Sequence, residues 1–287
     1  MSTSLHASIQ PKFRAIDGLS VRYAESADPG TGAHALLLSP WPESLYSYEA
    51  TWPRLAERAR LVAIDLPGFG HSERRDALMS SRAMGEFVLR AADAFGMERP
   101  HVVGPDVGSS AALFAAALGP GRIRSLVVGS GGAAVPLQVS GPLKEWIEAP
   151  DVEAYRRIDG RQVVAEAMGT LERYTPSDAA REDYLSAYEG ERFAESMAYV
   201  RAYPTELPDL AGLLPAIRTP ALIVAGRRDP FVPLVNAEFL AERLPASKLA
   251  VLDTGHFTWE DTADEYAALV TGWWDGGHEA AARRADG

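Results

Sequence analysis

The chain has 287 residues, of which 47% are hydrophobic and 23% charged, a balance typical of a globular protein that buries a large core. It has no cysteine, which excludes disulfides and thiol catalysis, and its net charge of −11 argues against nucleic acid as a partner. The N-terminus lacks a basic region followed by an apolar run, and no apolar stretch reaches about 18 residues, so we expect neither a signal peptide nor a membrane span.

The first half of the chain alternates short apolar segments, typical of buried strands, with segments of helical periodicity. In chain order the pattern predicts a hairpin around Asp17-Gly18, a strand over 34–39, a helix over 46–59, a strand over 60–65, a helix over 80–96, a strand over 101–104, a helix after Asp106 and a strand over 123–130. Apolar strands that alternate with helices indicate a parallel sheet covered on both faces.

The alternation stops near residue 133 and resumes after a segment that is mostly helical in pattern. Six of the ten tyrosines fall in that segment, between Tyr155 and Tyr203. Beyond it, the pattern predicts a strand over 220–229, a helix over 236–245, a strand over 247–255, a helix over 262–274 and a frayed tail over 275–287. We therefore predict an α/β fold with a mostly parallel sheet, whose core (1–133 and 213–287) is interrupted by a helical cap (134–212).

Three candidate catalytic residues follow predicted strands. Asp106 lies in a Gly-x-Asp-x-Gly turn between a strand and a helix, a turn that usually presents a nucleophile. Asp229 and His256 come after the two strands of the last part of the chain. Ligands of an open parallel sheet bind outside the carboxyl ends of its strands, so we expect the three side chains to meet there. Their order is nucleophile, acid, histidine.

This constellation resembles the α/β-hydrolase superfamily over nearly the whole chain, and within it the branch with an aspartate nucleophile, the epoxide hydrolases and haloalkane dehalogenases. Residues 65–73 (DLPGFGHSE) are similar to the family's loop after the second parallel strand. Residues 36–44 (LLLSPWPES) occupy the place of its oxyanion loop, but Ser39 and Pro40 replace the usual His-Gly. Because proline has no N–H and a fixed φ, we expect the backbone to depart from the family there.

An aspartate at this turn implies alkyl transfer. A carboxylate is ionised at neutral pH and can attack an sp³ carbon, which forms an ester with the enzyme. His256, supported by Asp229, would then activate the water that hydrolyses the ester. The backbone N–H groups of Trp41 and Val107 are the candidates for the oxyanion hole. The expected reaction is the opening of an epoxide to a diol through an Asp106 ester.

An epoxide also needs a donor for its leaving oxygen, and the resemblance implies two tyrosines of the cap. By position, Tyr155 and Tyr199 are the predicted proton donors, with Tyr203 as a further substrate contact. The family places a tyrosine directly before an arginine near the end of the cap, whereas here Val200 precedes Arg201, so Tyr199 or Tyr203 would have to serve as the second donor.

Dehalogenation through the same ester is the alternative. Many haloalkane dehalogenases carry tryptophan directly after the nucleophile, where this chain has Val107. Trp41 and Trp146 are the candidate halide donors and are also expected to contact the substrate. Fluoroacetate dehalogenases carry arginines after the nucleophile, which Ser109 and Ser110 do not replace. A third alternative, a non-hydrolytic binder or lyase of the same fold, rests on the altered oxyanion loop.

The remaining expectations concern ligands and partners. The histidines are scattered without ligand spacing, so no metal is inferred, and no cofactor is expected. The expected ligand is a small apolar electrophile. Trp273 and Trp274 are predicted to pack on the core or on a partner chain, which leaves a homodimer open. The lack of cysteine fits a cytoplasmic location.

Overall fold

The computed structural model describes residues 9–285, and one eight-stranded sheet runs through it. In chain order the strands are β1 (Lys12–Ile16), β2 (Leu19–Glu25), β3 (His34–Leu38), β4 (Arg60–Ile64), β5 (His101–Pro105), β6 (Ser125–Gly129), β7 (Ala221–Gly226) and β8 (Ser247–Leu252). Their order in the sheet is β1-β2-β4-β3-β5-β6-β7-β8. The β1–β2 and β2–β4 pairs are antiparallel and all other pairs are parallel, which confirms the predicted fold class and hairpin.

Helices cover both faces of the sheet. They are α1 (Trp52–Ala56), α2 (Ser81–Ala94), α3 (Val107–Leu118), α4 (Gly141–Glu148), α5 (Gly160–Met168), α6 (Asp178–Ala187), α7 (Arg192–Arg201), α8 (Tyr203–Leu213), α9 (Val235–Arg243), α10 (Thr258–Asp261), α11 (Ala263–Gly272) and α12 (His278–Ala285). Side chains of a strand alternate between faces, so Leu36 and Leu38 pack in one core cluster and Leu37 in the other. Strands buried on both faces read as continuous apolar runs, which is why the sequence pattern identifies them.

The segment between β6 and β7 forms five helices, α4 to α8, which we call the inserted helices. They reach the carboxyl ends of the strands through polar contacts. Arg22 of β2 pairs with Asp183 of α6, and Asp183 also accepts a hydrogen bond from the Ser44 hydroxyl at 2.5 Å. The carboxylate of Asp261 in α10 accepts from the backbone N–H groups of residues 172–174, just beyond α5. The inserted helices are therefore held at the end of the sheet where ligands of this fold bind.

Two predicted elements differ from the structure. The helix predicted over 46–59 is a 3₁₀ turn at Leu45–Tyr48, begun by a Ser44 cap, followed by the short helix α1. The described part of the tail, predicted to fray, instead forms α12, where Ala281 is buried and the His278 ring lies 2.9 Å from the Trp273 carbonyl.

The environment of the tail explains its order. Trp273 and Trp274 are buried within the chain's own core, as one of the two predictions for them stated.

Over the described residues, no helix is both long and apolar enough to cross a bilayer. The prediction about a signal peptide rests on the start of the chain, whose residues 1–8 lie outside the described part.

Candidate active site

The sharp turn that carries Asp106 is built by close backbone packing between β5 and α3. Asp106 has φ 52° and ψ −123°, a conformation that non-glycine residues rarely adopt. A Cβ on Gly104 would lie 2.5 Å from the Gly108 carbonyl oxygen, and one on Gly108 would lie 3.2 Å from Leu38. The two glycines therefore let the strand and the helix approach closely enough to push Asp106 out of the turn.

The Asp106 carboxylate is held by the backbone of the loop after β3. Its Oδ2 accepts a hydrogen bond from the Trp41 N–H at 2.7 Å, and the Val107 N–H also donates to the carboxylate. Proline at position 40 does not disturb this arrangement, because the donor is the N–H of the next residue. Burial raises the pKa of Asp106 to about 6, while His256 and the two N–H groups act in the opposite direction.

His256 lies between the two aspartates. Its Nδ1 is 2.7 Å from Asp229 Oδ2, and its Nε2 is 3.9 Å from Asp106 Oδ1. Burial alone would lower the pKa of His256, but the charge and hydrogen bond of Asp229 raise it above the ordinary value. Asp229 Oδ1 accepts from the N–H groups of Phe231 and Val232, both at 2.9 Å, which fixes the orientation of its carboxylate. The structure thus brings together the three predicted catalytic side chains.

A cavity of about 220 Å³ opens between Asp106, His256 and the inserted helices. Its polar lining consists of Asp106, His256, Glu166 and Thr170, and the other lining residues are apolar or aromatic. Within the described chain, no lysine or arginine lines it. The cavity is thus a small apolar chamber whose charged groups are two carboxylates and one histidine.

Helix α5 lines this cavity with residues that the sequence analysis did not single out. Val163, Glu166 and Ala167 of the helix line it, together with Thr170 just beyond the helix end. The spacing of the three helical residues is that of one helical face, so the periodicity could have identified this face but not that it lines the cavity. Glu166 is exposed, with its Oε1 accepting from Gln162 at 2.9 Å.

The structure places the predicted tyrosine donors elsewhere. Tyr199 is fully buried beneath the first turn of α3, and its hydroxyl donates to the Val107 carbonyl at 3.1 Å and lies 3.0 Å from Ser110 Oγ. Tyr155 is half-buried in a 3₁₀ turn and does not line the cavity. Tyr203 packs against Tyr199 and the Gly132 backbone and does not line the cavity either. None of the three tyrosines lines the cavity, so the structure gives no support to proton donors at Tyr155 and Tyr199 or to a substrate contact at Tyr203.

The two predicted tryptophans do line the cavity, but their ring N–H groups differ in whether they have a hydrogen-bond partner. The Trp41 ring N–H donates to Ser196 Oγ at 2.8 Å, so it is not the halide donor that the sequence suggested. Trp146 packs edge-on against Trp41, with ring centroids 5.4 Å apart. Its Nε1 has no hydrogen bond within the described residues and is not among the buried atoms that lack a partner, so solvent reaches it.

Comparisons with known proteins agree with this architecture. The family model described as the alpha/beta hydrolase fold matches residues 36–263. A 2-hydroxymuconate semialdehyde hydrolase of Pseudomonas putida is 30% identical over 266 residues, 85% of this chain and 87% of that protein. A 2-hydroxy-6-oxononadienedioate/2-hydroxy-6-oxononatrienedioate hydrolase of the same species is 30% identical over 228 residues, 76% of this chain and 78% of the relative.

Solved structures with similar folds have lower sequence identity. The epoxide hydrolase CorEH matches with a TM-score of 0.75 and 18% identity, over 93% of this chain and 99% of that one. A meta-cleavage product hydrolase from Pseudomonas fluorescens IP01 matches with a TM-score of 0.74 and 21% identity, over 94% and 98%. At these identities the structural matches support the fold alone.

Proposed function

Because the chain belongs to the α/β hydrolase fold family, we propose that it hydrolyses a small uncharged electrophile through a covalent ester on Asp106. The observation that carries this proposal is how the two oxygens of the Asp106 carboxylate are placed. One oxygen is held by the Trp41 N–H, while the other is directed toward His256 at the cavity.

In the first step, Asp106 Oδ1 attacks an sp³ carbon of the substrate. A carbon–oxygen bond forms, and the leaving group departs with the bonding electron pair. Attack on an ordinary carboxylic ester would instead give a reactive anhydride, so the carboxylate favours substrates with a strained ring or a good leaving group on carbon. The cavity walls around the nucleophile are mostly apolar, which suits an apolar electrophile.

In the second step, His256 Nε2 takes a proton from water, and that water attacks the Asp106 carbonyl carbon. The 3.9 Å between Nε2 and Oδ1 is too long for a direct hydrogen bond. Negative charge develops on Oδ2, to which the Trp41 N–H already donates, and the Val107 N–H also acts on this carboxyl group. The tetrahedral intermediate then collapses as the bond between its carbon and Oδ1 breaks. The departing Oδ1, which becomes the new oxygen of the product, takes the proton from His256, and the new carboxyl group of Asp106 releases its proton to solvent.

The charge of the cavity limits the substrate class. Two of the relatives' named substrates are dioates, which carry two carboxylates. Within the described chain the cavity has no cationic side chain to pair with them, and Glu166 would repel them. We therefore propose an uncharged substrate and not the dicarboxylates in those relatives' names.

Two leaving groups fit the first step. Opening an epoxide to a diol is what the resemblance implies, but the ring oxygen must gain a proton, and Tyr155 and Tyr199 are not at the cavity. A halide needs hydrogen bonds and no proton, and the free Trp146 Nε1 is a donor of that kind. Carbon–halogen hydrolysis is therefore the second candidate, and an unpaired donor on a residue that lines the cavity favours it.

Intact-protein mass spectrometry of the His256→Gln variant tests the proposal, because without its base the enzyme should stall as the Asp106 ester. We expect an added mass equal to the whole epoxide, or to an alkyl halide minus HX. The matched control is His256→Gln with Asp106→Asn, which should gain nothing. Absence of an adduct across neutral epoxides and haloalkanes, or an adduct that survives in the control, would contradict the ester mechanism and favour a binder or lyase.

A further inference from the structure

Two buried carboxyl groups lie just outside the cavity and have no part in the proposed chemistry. They belong to Glu43, which is 1% exposed, and Glu260, which is 2% exposed, and neither residue lines the cavity. Glu43 follows Trp41 by two residues in the loop that supplies the N–H to Asp106. Glu260 lies in α10, four residues after His256. Each is therefore attached to a segment that positions a catalytic group.

Each carboxyl has one oxygen with an ordinary donor. Glu43 Oε2 accepts from the Trp259 ring N–H at 3.1 Å, and Glu260 Oε1 accepts from the Tyr184 hydroxyl at 2.9 Å. The other two oxygens, Glu43 Oε1 and Glu260 Oε2, are buried and have no donor within the described residues. The two side chains are, however, within hydrogen-bonding contact of each other. Two carboxylates are acceptors only, so such a contact requires a proton between them.

We propose that Glu43 and Glu260 share one proton in a buried O–H···O bridge between Glu43 Oε1 and Glu260 Oε2, and that this bridge makes them positioning residues for the catalytic site. With that single proton every carboxyl oxygen of the pair has a partner. Without it, two negative charges would face each other in the protein interior, at a cost that buried groups avoid by remaining protonated.

The charges around the pair support the bridge. The titratable groups that act on the two carboxyls or on Tyr184 are all acidic or phenolic: Asp106, Asp261, Glu49, Tyr48, Tyr174 and Tyr184 itself. Arg173 lines the surface cleft beside Glu260, but it is half exposed and lies 3.9 Å from Asp253. Burial and the neighbouring Glu260 raise the pKa of Glu43 well above its ordinary value, and burial raises the pKa of Glu260 to about 7.

The bridge connects three parts of the chain. Glu43 fixes the loop of Trp41, Glu260 fixes the helix after His256, and Tyr184 extends the network to α6 of the inserted helices. Because burial and the neighbouring Glu260 raise the pKa of Glu43 well above its ordinary value, the shared proton stays on Glu43 below that pKa, and the bridge is lost as pH rises through the pKa of Glu43. Loss of the proton should loosen all three segments together.

Infrared spectroscopy of the whole protein at about pH 8, where Asp106 is ionised, tests the shared proton directly. We expect the carbonyl stretch of a protonated carboxylic acid in the wild type and its loss in both Glu43→Gln and Glu260→Gln. In either variant the new amide can donate to the remaining carboxylate. Glu49→Gln is the matched control and should keep the band. A wild type without the band, or a band that survives in either bridge variant, would overturn the proposal.

The positioning role is tested on decay of the Asp106 ester in single turnovers, a test that rests on the proposed function. We expect wild-type decay to slow at alkaline pH, Glu260→Gln to lose that slowing, and Glu260→Leu to decay about tenfold slower or more throughout. A pH profile shared by the wild type and Glu260→Gln would overturn the positioning role. If no ester forms with any electrophile, the proposed function fails, while the infrared result still decides the shared proton.

Discussion

The sharpest prediction concerns Asp229→Asn, because the structure dictates how the new amide must be oriented. The N–H groups of Phe231 and Val232 both donate to Oδ1, so the asparagine oxygen is pinned at that position. Its NH₂ group then occupies the place of Oδ2, which is 2.7 Å from His256 Nδ1. Two N–H donors cannot face each other at that distance. The imidazole must therefore adopt the tautomer in which Nδ1 accepts a hydrogen bond from the asparagine NH₂ and Nε2 carries the proton.

This tautomer cannot take a proton from water at Nε2. The protonated imidazolium is also less stable, because the buried negative charge of Asp229 is gone. Loss of a general base held in this way costs about 10⁴-fold in rate, or about 5.5 kcal/mol of barrier. The first step needs only an ionised Asp106, and we expect it to change by about tenfold or less. The variant should therefore accumulate the alkyl-enzyme, although every nucleophilic atom is present.

The assay follows both steps by rapid quench and intact mass during one exposure to an electrophile that alkylates His256→Gln. The expected result is fast appearance of the adduct and decay over hours. Equal slowing of both steps would mean that Asp229 acts on the nucleophile and not through His256. Unchanged turnover in a preparation free of deamidated protein would refute the assignment of the acid altogether.

Three further outcomes are expected. Because burial raises the pKa of Asp106 to about 6, the wild-type alkylation rate should fall about tenfold per pH unit below that value and level off above it, and a flat profile between pH 5 and 7 would contradict an ionised nucleophile. Tyr199→Phe removes a hydrogen bond to the Val107 carbonyl and should lower the melting temperature by about 2–4 °C with alkylation unchanged, whereas a large loss of alkylation would restore the tyrosine as a donor. Glu166→Lys should raise kcat/KM for a carboxylate-bearing electrophile relative to a neutral one of the same size, while Glu148→Lys, outside the cavity, should leave the ratio unchanged.

The parts of the site that the sequence predicted depend on local geometry and on topology. Gly104 and Gly108 identify the turn because their separation places two close backbone contacts around one presented residue. Asp229 and His256 follow β7 and β8, and parallel strands bring their carboxyl ends to one edge. These features hold regardless of how the inserted helices pack.

The tyrosines could not be placed in this way. Which face of α7 meets α3 depends on side-chain packing between the inserted helices and the core, and the packing puts the Tyr199 hydroxyl on the Val107 carbonyl. The resemblance supplied a role for a tyrosine near that position, but not the register that would bring it to the cavity.

The carboxyl pair was hidden for a different reason. Trp259 and Glu43 are 216 positions apart in the chain, and nothing in either segment marks its carboxyl as buried. Glu43 stands in a loop and Glu260 in a run of acidic residues that reads as solvent-exposed. Only the folded chain shows that the two are enclosed together, with no cation among the groups of residues 9–285 that act on them.

The most direct test of the central claim is a single turnover in H₂¹⁸O with enzyme in excess, using an electrophile identified with His256→Gln. If Asp106 is the nucleophile, the product takes its new oxygen from the unlabelled carboxylate, and the peptide containing Asp106 gains one ¹⁸O. Label in the product together with an unlabelled Asp106 would mean that water attacks the substrate directly, and the ester mechanism would be wrong.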